Sequence, residues 1–410
     1  MAIEWRKEIT AEQWKTLAAA CSGWMLDAMD VMLYAFALTS IQQEFSLSSA
    51  QAGLVASVTL LASAIGGIVF GLLADRLGRA RSLVLSILTY SIFTALTASA
   101  QSLTALLIWR SLVGIGLGGE WAAGSVLVAE TWPAEHRGKA IGLMQSGWAL
   151  GYILAALFAA LILPTLGWRA LFVIGVFPAL LSFWIRRHIA EPAIWVQSRT
   201  QRSPRLGAGF RQLFCRPLLR HTLIASLLTS ILLFAYWGLF TWIPTYLAAP
   251  LDKGGAGMGV VKSTGWIIPM QVGAFVGYIS FGALADRFGR RPVFAVFVIA
   301  AAALIPCYGN LSGRAALLFL IGPLIGFFGH GYFSVFGAML AELFPSDIRG
   351  TGQGLTYNVG RAFSALAPYV IGALAGYLGI GPALMLTSAF FLAAGGLIFF
   401  FPETRGKELE

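Results

Sequence analysis

Hydrophobic residues occur along this chain in long unbroken stretches, which short polar segments separate. Each stretch is close to the roughly 20 residues that a helix needs to cross about 30 Å of hydrocarbon. No strand-length alternation of polar and apolar residues recurs. The pattern predicts an all-α membrane protein of twelve transmembrane helices, here called spans 1 to 12. The predicted spans cover residues 17–41, 51–74, 83–100, 103–128, 140–163, 169–186, 221–248, 264–285, 293–309, 315–341, 353–377 and 382–401.

The composition and the placement of charge agree with a surface that faces lipid. Of 410 residues, 58% are hydrophobic and only 11% are charged, far less charge than a soluble surface needs. The net charge of +10 does not indicate nucleic-acid binding, because the charge follows the predicted topology. Of the 28 Lys and Arg, 22 fall on the side of the membrane where the N-terminus lies. Four fall on the opposite side, and Arg110 and Arg361 fall inside it. The positive-inside rule therefore predicts an inner-membrane protein with both termini in the cytoplasm.

Two sequence segments of the first half recur in the second half. GLLADRLGRAR at 71–81 returns as GALADRFGRRP at 282–292, and AETWPAEHRGKAIGL at 129–143 returns as AELFPSDIRGTGQGL at 341–355. The offsets of 211 and 212 residues are nearly constant, so a whole six-helix unit is duplicated. An even number of helices per unit predicts two parallel bundles related by a pseudo-two-fold axis along the membrane normal. We expect an N-terminal bundle over 1–186, a cytoplasmic linker over 187–219 and a C-terminal bundle over 220–410.

The first repeated segment places an aspartate, a glycine and two arginines in a very short turn between two spans. An aspartate just after a helix can pair with a neighbouring helix end in one conformation and release it in another, and a glycine one turn earlier would permit close helix contact. A single copy could be no more than a charged cap on the cytoplasmic end of a helix. Two copies at matched positions favour a gating role for this loop. The predicted gating residues are Gly71, Asp75, Arg76, Arg79, Gly282, Asp286, Arg287 and Arg290.

Three acidic residues lie inside the predicted spans, where each costs about 2.5–3.5 kcal/mol at a helix centre. Asp27 and Asp30 are three residues apart and share one face of span 1. Two carboxylates on a poorly hydrated face cannot both ionise cheaply, so one is expected to hold an exchangeable proton. The alternative is a structural aspartate that holds span 1 against span 4 or 5. Glu120 in span 4 is a third candidate for proton coupling, with helix packing as its alternative.

Two arginines inside the spans are candidates for binding an anion. Arg110 in span 4 either neutralises an aspartate of span 1 in a fixed ion pair or receives a substrate carboxylate. Ten residues, or about 15 Å of helix rise, separate it from Glu120, so these two do not pair. Arg361 in span 11 follows Tyr357 and Asn358 in a half whose spans otherwise lack acidic residues. It is predicted to bind the substrate carboxylate, with Asn358 adding a hydrogen bond from the same helix face. The alternative, which is compatible with this role, is that it pairs with an aspartate across the cavity in the empty state.

Further polar side chains extend the predicted substrate site. A lone histidine in span 10, His330, is either a structural hydrogen-bonding residue or a functional one. The predicted substrate-binding residues are Arg361, Asn358, Tyr357, His330, Arg110, Gln271 and Tyr332. Side chains that could also line a cavity are Gln145, Trp148, Tyr152, Tyr236 and Trp237.

These motifs resemble those of the major facilitator superfamily. The family's loop signature G-x-L-x-D-R-x-G-R is matched from Gly71 to Arg79, and its helix-4 signature is matched from Arg110 to Glu120. The tail PETRG at 402–406 is similar to the family's PETKG ending. The resemblance covers the whole chain and implies a transporter fold, although it says little about the substrate.

A narrower resemblance concerns the branch of the family. LDAMD at 26–30 resembles the L-D-x-x-D pattern of proton-coupled organic-acid permeases, and GGEW at 118–121 and GWRALF at 167–172 are similar to the sialate/lactate symporter branch. Related aromatic-acid and sugar-acid permeases share parts of this pattern. Many bacterial sialic-acid members carry extra membrane segments between the halves. The polar linker here therefore favours a small monocarboxylate such as lactate or pyruvate.

The absence of several motifs narrows the function. Without a G-x-x-x-x-G-K-[ST] loop the chain cannot cradle ATP, so transport must draw on an ion or substrate gradient. No nucleophile stands beside a base and no metal-ligand spacing occurs, so neither an enzyme nor a cofactor is expected. We predict a monomeric symporter that carries a small organic acid with a proton by alternating access, its other partner being the lipid bilayer. The alternatives are proton symport of sialic, aromatic or sugar acids, and an uncoupled uniporter.

Overall fold

The computed structural model describes residues 9–191, 211–216, 218–345 and 348–403, apart from the side chains of some helical residues, Asp75 among them. The described chain consists of helices and short turns. The helices of the first half are α1 (Ala11–Phe45), α2 (Ser49–Leu77), α3 (Arg79–Thr97), α4 (Leu103–Thr131), α5 (Ala134–Ile174) and α6 (Pro178–His188). Those of the second half are α7 (Leu218–Phe240), α8 (Ile243–Ala248), α9 (Gly259–Phe288), α10 (Arg290–Gly309), α11 (Ala315–His330), α12 (Phe333–Ala341), α13 (Arg349–Ser364), α14 (Leu366–Leu378) and α15 (Ile380–Leu397).

Within the described residues, eleven helical segments are long and apolar enough to cross a membrane. One of them, Lys139–Ile185, has 47 residues. At about 1.5 Å per residue, it is more than twice as long as the roughly 30 Å hydrocarbon layer. The helix breaks at Gly167, where φ is 74° and ψ is 179°, a conformation open to glycine. The chain therefore crosses the membrane twice within this segment, and the prediction of twelve spans is confirmed.

The predicted linker falls between two described helices. The last helix of the first half ends at His188, and the first helix of the second half begins at Leu218. Residues 192–210 and 217 of the predicted linker lie outside the described residues.

Local sequence explains where several helices begin. Thr10 opens α1 with a capping box, in which its side chain accepts from Gln13 N while the Gln13 side chain accepts from Thr10 N. Helices α3 and α10 begin directly after Gly78 (φ 117°) and Gly289 (φ 96°), the glycines of the repeated loop. The positive φ lets each loop turn within a single residue. As a result, α3 begins two residues after the end of α2, and α10 begins two residues after the end of α9.

The packing of the helices follows the duplication of the sequence. In the first half α1 packs on α5, α2 on α4 and α3 on α6. In the second half α7 packs on α13, α9 on α11 and α10 on α15. The halves meet through two equivalent pairs, α5 with α9 and α2 with α14. The protein is thus two six-helix bundles related by pseudo-two-fold symmetry.

Small residues bring two equivalent helix pairs into close contact. A Cβ on Gly66 in α2 would collide with the backbone of Ile115 in α4, and a Cβ on Gly277 in α9 would collide with the backbone of Phe327 in α11. Close approach at glycine is a usual means of packing helices within a membrane. These contacts hold each bundle together near its middle.

The close helix contact that we predicted at Gly71 and Gly282 does not occur in this structure. A Cβ on either glycine would meet no described atom within 4 Å. The physical reason is that both glycines lie more than one turn past the point where the paired helices touch, at Gly66 and Gly277, so open space surrounds them. The prediction was wrong for this conformation.

Candidate transport site

Asp30 of α1 and Arg110 of α4 form an ion pair in the middle of the first bundle. Arg110 Nη1 lies 3.7 Å from Asp30 Oδ2, and the two side chains are 1% and 0% exposed. The guanidinium also lies over the rings of Tyr34, at 5.4 Å, and Phe172, at 5.9 Å. The structure thus brings Arg110 to an aspartate of span 1, one of the two arrangements that the sequence left open.

Glu120 of α4 packs against α1 at a glycine. A Cβ on Gly23 would lie 3.3 Å from Glu120 Cδ, so the carboxyl group packs closely against the α1 backbone at this place. Glu120 is fully buried, and neither of its oxygens has a hydrogen-bond partner among the described residues. Asp27 follows Gly23 by one helical turn, and the two carboxyl groups interact electrostatically. Asp27 and Glu120 therefore form a pair of acids between α1 and α4, separate from the Asp30–Arg110 pair.

Two adjoining chambers lie between the bundles. Side chains from both halves line the first chamber, among them Asp27, Tyr34, Thr59, Ser63, Arg110, Trp148, Trp237 and Arg361. The second chamber is lined by Trp24, Gln145, Trp148, Leu233, Tyr236, Trp237, Tyr278, Phe333, Tyr357 and Arg361. Trp148, Trp237 and Arg361 border both chambers and so form the partition between them. The Trp148 and Trp237 rings meet edge to face with centroids 5.8 Å apart.

Arg361 of α13 is the side chain that connects the acids with both chambers. It is 6% exposed, and its guanidinium lies 5.4 Å from the centre of the Tyr357 ring. No carboxylate of the described residues lies within the 4.0 Å of an ion pair, although Asp27 and Glu120 interact with it electrostatically. A buried guanidinium with both acids near but not bonded can attract a third anion.

Asn358 does not join Arg361 in the chambers, contrary to our prediction. Its side chain turns toward α2, where a Cβ on Gly67 would lie 2.7 Å from Asn358 Oδ1. Its Nδ2 donates to the Gly354 carbonyl oxygen at 2.9 Å. A spacing of three residues leaves about 60° of helical rotation between two side chains. Here that rotation is enough to direct one of them at the other bundle.

Three other predicted substrate residues also lie outside both chambers. His330 is fully buried against the Phe240 ring, with centroids 4.0 Å apart, and its Nδ1 lies 3.1 Å from the Gly326 carbonyl oxygen. Tyr332 packs among phenylalanines, and Gln271 is fully buried in α9. Among the predicted residues, Arg361, Tyr357 and Arg110 border a chamber; Asn358, His330, Gln271 and Tyr332 do not. His330 contacts Tyr236 and Tyr278, which line the second chamber, and so lies one layer behind it.

Our prediction omitted three aromatic residues that line the second chamber, Trp24, Tyr278 and Phe333. Trp24 of α1 stacks at an angle on Trp148, with centroids 4.8 Å apart, and Tyr278 of α9 closes the opposite side. The sequence contained one usable signal for Trp24, which precedes Asp27 by three residues and so shares its helix face. Tyr278 carries no such signal.

Equivalent ion pairs link helices at the repeated loops of the two halves. Arg79 holds Glu130 with two hydrogen bonds, Nε to Oε2 at 3.3 Å and Nη2 to Oε1 at 3.2 Å. In the second half Arg290 Nη1 donates to Glu342 at the equivalent place. Each pair joins the start of the helix after the loop to the end of α4, or to the turn that follows α12.

A second glutamate in each half caps the helix that follows the loop. Glu191 accepts from the backbone N–H groups of Arg79, at 2.6 Å, and Ala80, at 3.2 Å. Glu403 accepts from the backbone N–H groups of Arg290 and Arg291, both at 3.1 Å. Negative charge at a helix N-terminus is stabilising, by about 0.3–1 kcal/mol when exposed. Our prediction missed these glutamates, although Glu191 and Glu403 keep the repeat's offset of 212 residues.

The remaining gating candidates have less defined surroundings. The side chain of Asp75 lies outside the described part of the structure. Arg76, Asp286 and Arg287 are exposed, and Asp286 interacts electrostatically with Arg290. Of the predicted loop residues, Arg79 and Arg290 are therefore the ones that link helices in this conformation.

Comparison with known proteins agrees with this architecture. The sequence profile of the Major Facilitator Superfamily matches residues 20–280 and 263–410. The chain is 35% identical over 395 residues to the cis,cis-muconate transport protein of Acinetobacter baylyi, which covers 94% of both chains. It is 30% identical over 394 residues to the sialic acid transporter NanX of Escherichia coli, covering 96% of this chain and 95% of the relative. A solved D-xylose-proton symporter shares the fold with a TM-score of 0.76, at 20% identity over 97% of this chain and 100% of that one.

Both of these relatives are named as transporters. The chain therefore belongs to the Major Facilitator Superfamily, as a multi-pass membrane transporter and not an enzyme.

Proposed function

We propose that this protein is a proton-coupled symporter of an organic acid anion. The observation that carries the proposal is the position of Arg361, a buried cation that borders both chambers and has no ion-pair partner among the described residues. A carboxylate that enters this cavity loses its water and needs a charge-assisted partner. The relatives named for muconate and sialic acid support an acidic substrate.

The nearby acids supply the coupling. While Asp27 and Glu120 are charged, they compete with a substrate carboxylate for the positive charge of Arg361. A proton on one of the two acids weakens that competition, so the anion binds better after the proton has bound. Loss of the proton on the other side of the membrane restores the competition and favours release. Because Asp30 already faces Arg110 at 3.7 Å, the Asp27–Glu120 pair is the better candidate for the exchangeable proton.

The aromatic lining of the second chamber favours one kind of organic acid over another. Beside Arg361 the walls of the second chamber include tryptophan and tyrosine rings. A flat unsaturated or aromatic acid can pack against such rings, whereas lactate and pyruvate have no flat body to do so. We therefore propose a planar unsaturated or aromatic acid as the substrate in preference to lactate or pyruvate. We retain the predicted orientation, with the chain a monomer in the inner membrane and both termini in the cytoplasm.

The test is transport by purified protein in proteoliposomes. We expect labelled cis,cis-muconate or 3-hydroxybenzoate to accumulate against its gradient when an inward proton gradient is imposed, and a protonophore to abolish this accumulation. Labelled lactate, pyruvate and sialic acid serve as comparison substrates. Counterflow without any response to the proton gradient would indicate an uncoupled uniporter. Lack of counterflow with all five acids would exclude the organic-acid function.

A further inference from the structure

The second chamber contains several buried polar groups that have no hydrogen-bond partner. Trp24 Nε1, Gln145 Oε1 and Arg361 Nε are each unpaired among the described residues, and these side chains are 6%, 8% and 6% exposed. The Trp148 indole N–H and the Tyr236 hydroxyl approach each other without reaching hydrogen-bond geometry, and both are buried. Leaving a buried polar group unpaired costs about 1–3 kcal/mol. All five of these side chains line the second chamber, so a single ligand placed there can complete them.

The chemistry of these groups describes what they would bind. Trp24, Trp148 and Tyr236 offer neutral donors, and Gln145 offers an acceptor. Arg361 is the one cation among the residues that line this chamber, because Arg110 lines only the first chamber and faces Asp30. Neutral donors suit a neutral oxygen, such as a hydroxyl or carbonyl, better than a second carboxylate. The surrounding rings suit a flat body.

We propose that the second chamber is a subsite for a neutral oxygen substituent, so that the substrate is a planar acid with a hydroxyl or carbonyl group besides its carboxylate. This inference rests on the proposed function, because the carboxylate on Arg361 fixes where the rest of the molecule lies. It makes Trp148 and Tyr236 specificity-determining residues. A monocarboxylate without a further oxygen leaves the polar atoms of Trp148 and Tyr236 unpaired and binds more weakly.

The test compares matched ligands on purified protein by calorimetry. Benzoate carries only the carboxylate, whereas 3-hydroxybenzoate and 4-hydroxybenzoate add one hydroxyl at different places. We expect at least one hydroxybenzoate to bind about five- to tenfold more tightly than benzoate, the effect of one or more neutral hydrogen bonds. In Tyr236→Phe combined with Trp148→Phe, which keep aromatic rings but lose both donors, that ratio should fall toward one. Tyr308→Phe, which removes a buried unpaired hydroxyl that borders neither chamber, is the matched control and should keep the ratio.

The outcomes separate the subsite from the function on which it rests. If benzoate binds the parent protein as tightly as both hydroxybenzoates, or if the ratio survives in the double variant, the subsite is wrong. In either case a roughly tenfold to hundredfold weakening of binding in Arg361→Ala, the effect of losing a hydrogen bond to a charged group, would leave the organic-acid function standing. Failure of all three acids to bind the parent protein would overturn the subsite, whereas the organic-acid function falls only if counterflow also fails with all five acids of the transport test.

Discussion

The hydroxyl of Tyr152 in α5 donates a hydrogen bond to the carbonyl oxygen of Phe240 at the end of α7, at 3.0 Å and fully buried. It joins the two bundles close to the chambers. One buried neutral hydrogen bond is worth about 1 kcal/mol, or roughly a fivefold change in an equilibrium. We therefore expect Tyr152→Phe to shift the population away from the conformation described here.

Cysteine accessibility on each side of the membrane measures this shift, in a background without Cys21, Cys215 and Cys307. Tyr246→Phe is the matched control, because the Tyr246 hydroxyl bonds the Tyr308 carbonyl oxygen, at 2.7 Å, within one bundle. Equal labelling of the two variants would show that the bond between the bundles does not bias the conformation.

Replacing the acids of the proposed coupling pair should separate exchange from uphill transport. Asp27→Asn mimics the protonated acid, so it should abolish accumulation driven by a proton gradient while exchange of substrate across the membrane continues. Glu120→Gln should have the same effect in weaker form, because Glu120 does not line a chamber. The measurement is uptake and exchange in proteoliposomes. If both variants still accumulate substrate, coupling lies elsewhere and Asp30 becomes the next candidate.

Asp30 should behave differently from Asp27, although the sequence places them on one helix face. Asp30→Asn leaves Arg110 charged and buried without its partner, and breaking such a pair costs about 3–5 kcal/mol. We expect a clear loss of thermal stability in Asp30→Asn, whereas Asp27→Asn should stay close to the parent. Melting curves of the detergent-purified variants decide between them. A stable Asp30→Asn would mean that the pair is not structural and would return Asp30 to the coupling candidates.

Arg361 is the expected contact for the substrate carboxylate. Arg361→Ala should weaken binding about tenfold to a hundredfold, the range of a hydrogen bond to a charged group. Arg361→Lys keeps the charge but loses the planar fork, so it should weaken binding less. Calorimetry with 3-hydroxybenzoate or muconate provides the measurement, with protein yield as the control for folding. If Arg361→Ala binds as tightly as the parent, Arg110 takes over the role.

The ion pairs at the repeated loops should control the conformation and not the choice of substrate. Glu130→Gln and Glu342→Gln weaken equivalent contacts, with Arg79 and Arg290 respectively. Each should change cysteine labelling on both sides of the membrane and leave the ranking of substrates unchanged. Asp252→Asn, an exposed acid in the loop between α8 and α9, is the control. A changed substrate ranking would contradict a purely conformational role.

Much of the architecture could be read from the sequence, because a membrane imposes strong rules on it. The lipid requires long apolar stretches, and the repeated loops reveal the duplication. The helix break at Gly167 lies between predicted spans 5 and 6, because each apolar stretch is only long enough to cross the membrane once. Asp27, Arg110 and Arg361 stood out because charge is rare inside a membrane, and all three line the first chamber.

The rest of the site depends on how each helix is rotated, which packing decides. Asn358 and Arg361 are three residues apart, yet the fit of Asn358 against Gly67 turns it away from the chambers. His330 packs beside Phe240, and no local sequence pattern predicts this contact. Glu130 and Glu342 could have been found, because both lie in the second repeated segment. Their partners belong to the first repeated segment, so only a comparison of the two segments would have paired them.

Glu191 follows the last helix of the first bundle and Glu403 follows α15 of the second, and they bind the backbone at the start of α3 and α10 respectively. Each of these two contacts lies within one bundle and does not depend on the covalent connection to the other bundle. A backbone cut between residues 191 and 211 would leave both contacts intact. The two halves then resemble separately made subunits that one gene happens to deliver together. An ancestor assembled as a dimer of six-helix chains would have needed no additional contact to seal either part.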